Sequence, residues 1–395
     1  MIKKRVLLVF TAFAGALFFS GCNRDENIIK VGILHSETGT MAMSEKPLIQ
    51  AELLAIEEIN EAGGLLGKKI VPLIEDGQSD PDVFAEKAKK LLATDKVSTI
   101  FGCWTSAARK AVKPVVEEDF ALLWYPLQYE GMESSPNIMY MGTTPNQQIV
   151  PAVEYCVNHF GKNVYLIGSD YIFPHTANKI IKAQLKSLGA NVVQESYKSL
   201  GCTNCLPSVE EILEKKPDFI LNTLNGSTNI SFFKLLHEKG ISAEQIPVLS
   251  FSVSESEVEE IGVENIAGHY LAWNYFSSLE SPANLDFIRR YRKKYGETKM
   301  IGAPLEAAYS AVYMWAMAVE KAGTTDVEEV RMASKGLEFD APGGRILIDG
   351  SNQHTYKRTR IGKIKEDGII DEVWESDEDV RPDPYLSAYS WARGL

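Results

Sequence analysis

Two short clusters of the chain combine hydroxyl, amide and aromatic side chains at close spacing. Hydroxyl and amide groups orient a small polar molecule by hydrogen bonds, and aromatic rings cover its flat face and exclude water. This mixture is typical of a binding pocket for a small, neutral, polar ligand. The residues concerned are Trp104, Thr105 and Ser106 in the first cluster and Tyr125, Leu127 and Gln128 in the second.

The same residues give little support to catalysis. Ser106 lacks the G-x-S-x-G context of a nucleophile elbow, and no histidine stands near it in the sequence. No G-x-G-x-x-G segment or phosphate-binding loop follows a predicted strand, and the six histidines are scattered singly. We therefore expect no enzymatic activity, no cofactor and no metal site. A secreted amidohydrolase that uses Ser106 or Cys103 is kept as an alternative.

An alternation of strands and helices must position both clusters. Strands separated by helices of ten to fifteen residues form a parallel sheet with right-handed crossovers. Ligands of such sheets bind beyond the carboxyl ends of the strands, which is where both clusters fall. The predicted strands are 29–35, 69–75, 97–101 and 121–125, and the predicted helices are 47–62, 80–94 and 105–117.

The alternation restarts after Asn146 and predicts a second, similar half. The segment that follows its first strand carries Tyr171 and Phe173, and Asn225 follows a later strand. The last part of the chain is predicted to be rich in loops. The predicted strands of this half are 163–167, 192–197, 219–223, 248–252 and 269–273.

The charge of the chain limits its partners. Its 395 residues carry a net charge of -12, which argues against nucleic acid and against a polybasic membrane surface. A charged ligand would need a buried counter-charge near the clusters. Arg109 and Lys110 lie inside the helix after Ser106 and are predicted to be surface residues.

The N-terminus predicts export from the cytoplasm. Three basic residues precede a nearly unbroken apolar stretch over residues 6–19, and Ser20, Gly21 and Cys22 follow. This ending resembles a bacterial lipobox, so residues 1–21 are predicted to be a lipoprotein signal peptide. Cys22 would then be lipidated, and residues 22–27 would form a tether. The alternative is an ordinary cleaved signal in which Cys22 is incidental. Both place the mature protein in the periplasm or another extracytoplasmic space.

Four further cysteines remain in that oxidising environment. Cys202 and Cys205 form a C-x-x-C in a predicted loop, and we expect them to make a local disulfide. A zinc site would need a second pair of ligands, and a thioredoxin-like site would stand at the start of a helix. Cys103 and Cys156 are expected to be buried, small apolar residues.

Several motifs, in their order and spacing, resemble one known family. They are "VGILHSETGTMA", "EEINEAGGLLGKKI", "GCWTSAARKAVKPV", "YPLQYEG", "TPNQQIVPA" and "GSDYIFP". Together they are similar to the type I periplasmic binding proteins of branched-chain amino acid and amide ABC transporters. Within this family the chain most resembles the members that bind urea.

The resemblance implies an α/β fold of two doubly wound parallel-sheet lobes joined by a three-stranded hinge and closing over a ligand. Lobe 1 is predicted over residues 28–145 plus 277–337, and lobe 2 over residues 146–276 plus 338–395.

The family's ligand contacts can be carried over to matching positions of this chain. Phe173 stands where the family has Tyr, which puts one family contact in doubt. We add Glu37 and Asn225 as hypothetical further hydrogen-bond acceptors. The positions implied by the resemblance are Trp104, Ser106, Tyr125, Leu127, Gln128, Tyr171 and Phe173.

The function implied by the resemblance is capture of urea and its delivery to the permease subunits of an ABC transporter. Short aliphatic amides or a branched-chain amino acid are the alternative ligands. An amino acid would need charge partners for its carboxylate and ammonium groups, and the predicted wall of the cleft is neutral. A sensory ectodomain that acts through a membrane partner is a further alternative.

Overall fold

The computed structural model describes residues 27–395, in which three β-sheets are surrounded by helices. The predictions for the signal peptide, for the lipidation of Cys22 and for most of the tether fall on residues 1–26 and lie outside the described residues. Within residues 27–395 no helix is long and apolar enough to cross a membrane.

The first sheet is parallel throughout, with strand order β2-β1-β3-β4-β5. Asp80 caps α2 by accepting hydrogen bonds from the backbone N–H groups of Asp82 and Val83, as its position before Pro81 predicts. The elements are β1 (Ile28–His35), α1 (Ala42–Glu61), β2 (Lys69–Asp76), α2 (Pro81–Lys89), β3 (Ile100–Gly102), α3 (Ser106–Glu118), β4 (Leu123–Tyr125) and β5 (Ile138–Tyr140).

The second half continues the alternation with short buried strands and amphipathic helices. Its elements are α4 (Ile149–His159), β6 (Asn163–Ser169), α5 (Ile172–Ser187), β7 (Asn191–Lys198), α6 (Leu206–Lys215), β8 (Phe219–Thr223), α7 (Thr228–Glu238), β9 (Val248–Ser250), α8 (Glu255–Ile261), α9 (Val263–Ile266) and β10 (Tyr270–Trp273).

The remaining elements divide between the two halves. Strands β14 and β15 complete a second sheet of order β15-β14-β10-β9-β8-β6-β7, in which β14 runs antiparallel to its neighbours. Strands β11 to β13 form a small sheet of their own. These last elements are α10 (Pro282–Tyr295), α11 (Ala303–Ala322), α12 (Val327–Ser334), β11 (Glu338–Ala341), β12 (Gly344–Ile348), β13 (Thr355–Tyr356), β14 (Arg360–Ile364) and β15 (Ile370–Glu375).

We call the part built on the first sheet lobe 1 and the part built on the second sheet lobe 2. The chain passes between them three times, after β5, after β10 and between β13 and β14. A bridge between Tyr140 and His354 places the β13 segment beside the edge of the first sheet. The predicted fold class, two doubly wound α/β lobes joined by three crossovers, agrees with this topology.

The structure differs from the sequence-based division in one region. The prediction places residues 338–356 in lobe 2, but β11 packs on α10 and α11 of lobe 1, and lobe 2 receives only the elements from β14 onward. The C-terminal region also contains β15, where loops are predicted. Helix α1 begins at Ala42 and contains Pro47, which the prediction takes as the helix start.

The predicted disulfide is wrong in this structure. Cys202 and Cys205 are both free thiols, as are Cys103 and Cys156. Cys202 Sγ lies 3.6 Å from the carbonyl oxygen of Asn204, and Cys205 is buried beside Thr228. The C-x-x-C segment is nevertheless a loop, as predicted, because α6 begins only at Leu206.

A tight turn after β3 brings the first cluster to the edge of the sheet. Gly102 has φ +149°, and Cys103 has φ +66°, a left-handed conformation that costs a non-glycine residue about 1–3 kcal/mol. A Cβ atom on Gly102 would lie 2.0 Å from the backbone oxygen of Leu34 in the neighbouring strand. Only glycine therefore lets β3 approach β1 closely and turn into Trp104 and α3.

We predict that Gly102→Ala destabilises the protein. The new methyl group meets backbone that cannot move aside, and the positive φ adds strain, so the free energy of unfolding should fall by about 2 kcal/mol or more. Denaturant unfolding monitored by circular dichroism measures the change. Gly350→Ala is the control, since Gly350 has no positive φ and its nearest neighbour would be 3.4 Å away. Equal effects at both positions would contradict the prediction.

Candidate functional site

The candidate site lies where the carboxyl ends of strands from the two sheets face each other. The segments after β3 and β4 supply the wall from lobe 1. Those after β6, β8 and β9 supply the wall from lobe 2. We call the interface between these walls the cleft. Hydrogen bonds from the side chains of Trp104 and Gln128 cross it in this structure, so the lobes are closed on each other.

Helix α3 begins at Ser106, on the lobe 1 side of the cleft. Thr105 precedes the helix, and its Oγ1 accepts a hydrogen bond of 3.1 Å from the backbone N–H of Ala108. This cap satisfies one of the free N–H groups at the helix start. Thr105 was predicted to contact the ligand, but the structure gives its hydroxyl this capping role.

Behind Ser106 lies a fully buried guanidinium. Arg109 is 0% exposed, and its Nη2 and Nε donate to Glu130 Oε1 at 3.1 Å and to Glu133 Oε1 at 2.9 Å. Burial disfavours the charged form of Glu133, but Arg109 and Lys110 outweigh it and lower its pKa to about 2. The prediction that Arg109 is a surface residue is wrong, because two carboxylates compensate for its loss of water.

Ser106 belongs to the same network. Its Oγ donates a hydrogen bond to Glu130 Oε2 and accepts one of 3.0 Å from Arg109 Nη1. The guanidinium also lies over the rings of Tyr125 and Tyr129, 5.0 Å and 4.6 Å from their centroids. The wall of lobe 1 is therefore backed by a buried, hydrogen-bonded ionic layer.

Tyr125 and Gln128 complete the wall of lobe 1. The hydroxyl of Tyr125 donates a 2.7 Å hydrogen bond to the backbone oxygen of Trp104, which joins the two clusters. The side-chain amide of Gln128 crosses the cleft, and its Nε2 lies 3.1 Å from both the Phe251 carbonyl oxygen and Ser252 Oγ. Its Oε1 is buried and has no partner among the described residues.

Lobe 2 contributes Asn225 and Tyr171. Trp104 Nε1 donates a 3.3 Å hydrogen bond across the cleft to Asn225 Oδ1, while the backbone N–H of Asn225 donates to Ser169 Oγ. Burial raises the pKa of Tyr171 well above its usual value, and the nearby Tyr125 and Glu130 raise it further. The Tyr171 phenol is therefore protonated.

A second buried ionic group stands at the end of β1. The ring of His35 lies between Glu45 and Glu52, with contacts of 3.3 Å and 3.0 Å. Burial alone would lower the pKa of His35, but the two carboxylates raise it to about 9, so the ring is charged at neutral pH. Glu45 also accepts a hydrogen bond of 2.8 Å from the backbone N–H of Ser36, which fixes the turn after β1.

Three other predicted site residues do not join the polar wall. Glu37 is exposed and takes part only through its backbone N–H, which donates to Asp76 Oδ1. Leu127 is 1% exposed in the core of lobe 1, and Phe173 is 3% exposed in the apolar cluster of lobe 2. Phe173 therefore supports Tyr171, whose ring centroid is 6.4 Å away, by packing.

Sequence reasoning missed Arg109, Glu130 and Glu133. The two glutamates follow the second cluster closely, within "YEGME", and Arg109 stands three residues after Ser106, on the same helix face. Charges at these spacings from the cluster residues were an available signal. Cys103, by contrast, is no nucleophile candidate, because burial raises its pKa well above the usual value and keeps the thiol protonated.

Comparison with known proteins assigns this architecture. A family model described as "Periplasmic binding protein domain" matches residues 29–390. The chain belongs to the periplasmic binding protein family. A curated relative, the Leu/Ile/Val-binding protein homolog 6 of Brucella melitensis, is 23% identical over 371 residues, which is 92% of each chain.

Solved structures of substrate-binding proteins of transporters share the fold. A solute binding protein of an ABC transporter from Rhodopseudomonas palustris, in complex with p-hydroxybenzoic acid, matches with a TM-score of 0.83 at 23% identity over 92% of this chain and 100% of its own. The branched-chain amino acid transporter substrate binding protein of Streptococcus pneumoniae, in complex with isoleucine, matches with a TM-score of 0.77 at 21% identity over 90% and 100%. The predicted fold of a type I periplasmic binding protein is confirmed.

We predict that stability falls between pH 6.5 and 9. Folding raises the pKa of His35 to about 9. Such a group stabilises the protein fully at pH values below the pKa that it has in the unfolded chain. That contribution, at most about 3 kcal/mol, is lost as the pH rises through 9. Denaturant unfolding at several pH values measures it. His35→Gln should flatten the slope, and His237→Gln, at an exposed position, should not. A slope unchanged in His35→Gln would contradict the assignment.

Proposed function

We propose that this periplasmic binding protein captures urea outside the cytoplasm and delivers it to the permease of an ABC transporter. The observation that carries the proposal is the buried Oε1 of Gln128, which has no hydrogen-bond partner within residues 27–395. A buried acceptor without a donor costs about 1–3 kcal/mol, so a ligand that brings an N–H group to it gains affinity. The amide orientation is fixed, because Nε2 must face the carbonyl oxygen of Phe251.

Further groups at the cleft suit the same ligand. The hydroxyl proton of Tyr125 is already donated to Trp104, so its oxygen can only accept from a ligand. Urea carries four N–H groups and one carbonyl in a plane. We assign the donor for its carbonyl to Tyr171, and the cover for its flat face to Trp104.

The charges at the cleft favour a neutral ligand over a carboxylate. Arg109 is the buried cation at the wall, and three of its nitrogens already donate to Glu133, Ser106 and Glu130. His35 is held by two carboxylates of its own. An amino acid or an aromatic acid would have to displace these partners to gain a counter-charge for its carboxylate.

The cellular setting of the proposal rests on the sequence. The predicted signal peptide would direct export, and the lipidation of Cys22 would anchor the mature protein to a membrane in the periplasm or an equivalent space. Closure of the two lobes over urea would then produce the form that permease subunits recognise. Short aliphatic amides are the second candidate ligands, because they present two of urea's four N–H groups to the same acceptors.

We predict that the mature protein, starting at Asn23, binds urea more tightly than any carboxylate ligand. Isothermal titration calorimetry with urea, acetamide, formamide, leucine and 4-hydroxybenzoate measures the ranking. Heat from urea or an amide, with none from leucine or 4-hydroxybenzoate, is the expected result. Tight binding of leucine or 4-hydroxybenzoate would overturn the proposal and would require the ionic layer around Arg109 to open.

Gln128→Met should weaken urea binding about tenfold or more, because it keeps the side-chain volume but removes the free acceptor. Titration calorimetry gives the change in Kd. Gln184→Met is the matched control. Gln184 is also buried, donates Nε2 to a backbone oxygen and has an unpartnered Oε1, but it lies in α5 against Val150, within lobe 2. An equal loss of affinity in both variants would refute the role of Gln128.

A further inference from the structure

The hydroxyl of Ser106 can form only one kind of hydrogen bond with a ligand. A hydroxyl has one proton to donate and two lone pairs to accept with. Arg109 Nη1 can only donate, so the 3.0 Å contact occupies one lone pair of Ser106 Oγ. The carboxylate of Glu130 can only accept, so the contact with Glu130 Oε2 takes the proton. One lone pair is left.

We propose that Glu130 and Arg109 are positioning residues that fix Ser106 as a hydrogen-bond acceptor toward the cleft, so that the site selects ligands by their N–H donors. The inference rests on the proposed function and deepens it. All members of the trio are buried, at 2% for Ser106, 0% for Arg109 and 2% for Glu130, so water cannot reorient the hydroxyl at low cost.

The layer behind the trio keeps it in place. Glu133 holds Arg109 from the other side at 2.9 Å, and Lys110 holds Glu133 at 2.8 Å. Tyr140 donates a 3.1 Å hydrogen bond to Glu133 Oε1. Each oxygen of Glu130 has its own donor, Ser106 for one and Arg109 for the other. This arrangement leaves no second position for the Ser106 proton.

The consequence is that the groups left free on the wall of lobe 1 are acceptors, since Trp104 Nε1 and Gln128 Nε2 already donate to lobe 2. Ser106 joins the oxygen of Tyr125 and the Oε1 of Gln128, and each of the three can accept but not donate toward the cleft. Molecules of the same planar shape should therefore bind in the order of their N–H content. Urea carries four such groups, acetamide two and acetone none, so the series tests polarity with little change of size.

Glu130→Gln should reverse the polarity of Ser106. The new amide can donate to Ser106 Oγ and free its proton for the ligand, while Arg109 keeps Glu133. We expect the affinity ratio of urea to acetone, measured by titration and displacement calorimetry, to fall about tenfold. Glu133→Gln is the matched control, because Glu133 also pairs with Arg109 but does not touch Ser106. Glu133→Gln should leave the affinity ratio of urea to acetone within about twofold of the wild-type ratio.

Ser106→Ala provides a second route if Glu130→Gln folds poorly. It removes the Ser106 acceptor and leaves the Arg109–Glu130 pair, so the affinity ratio of urea to acetone should also fall. Adding Glu130→Gln to Ser106→Ala should cause no further change in this ratio. A loss of affinity that is equal for urea and acetone in Glu130→Gln would mean a merely structural role and would overturn the inference.

A readout without ligand separates this inference from the proposed function. Thermal unfolding of the wild type, Ser106→Ala, Glu130→Gln and the double variant gives the coupling between the two residues. Coupling is expected, and its absence would overturn the inference whatever the protein binds. If coupling is present but the wild type prefers leucine to urea, the proposed function fails while the orientation of Ser106 stands.

Discussion

The burial of Arg109 constrains the architecture of lobe 1 at the cleft. A guanidinium that loses water must be matched by acceptors of opposite charge, and Glu130 and Glu133 supply them from the segment after β4. That requirement ties the segment to the first turn of α3. Ser106 and Gln128 of the cleft wall lie on these two elements, and Arg109 also donates directly to Ser106.

The geometry of parallel sheets explains why the polar side chains meet at all. All strands of the first sheet have their carboxyl ends at one edge of that sheet. The parallel strands of lobe 2 have theirs at the facing edge, so the residues after these strands meet at the cleft from both sides. The turn at Gly102 and Cys103 is the strained point of this arrangement. Its conformation brings Trp104 far enough out of the sheet to reach Asn225 in lobe 2.

The sequence predicts a structural feature well where the residues that specify it are close together in the chain. The cap at Asp80 and the strand over residues 219–223 are predicted as the structure has them, because each is specified by neighbouring residues. The burial of Arg109 was not, since its partners stand 21 and 24 residues away, in a segment without periodicity. The short strands β5 and β13 were missed for the same reason: their neighbours in the sheet, not their own sequences, define them.

In the proposed site, the side chain of Gln128 would link ligand recognition to closure of the lobes. Its Nε2 donates to Phe251 and Ser252 of lobe 2. These bonds fix the orientation of the amide, so that Oε1 would face a ligand in the cleft. In an open protein the same amide would be hydrated and free to rotate. A ligand shifts a conformational equilibrium only by the interactions that differ between the two states. The bond to Gln128 would be such an interaction, so the residue that favours N–H donors would also make closure depend on the presence of the donor.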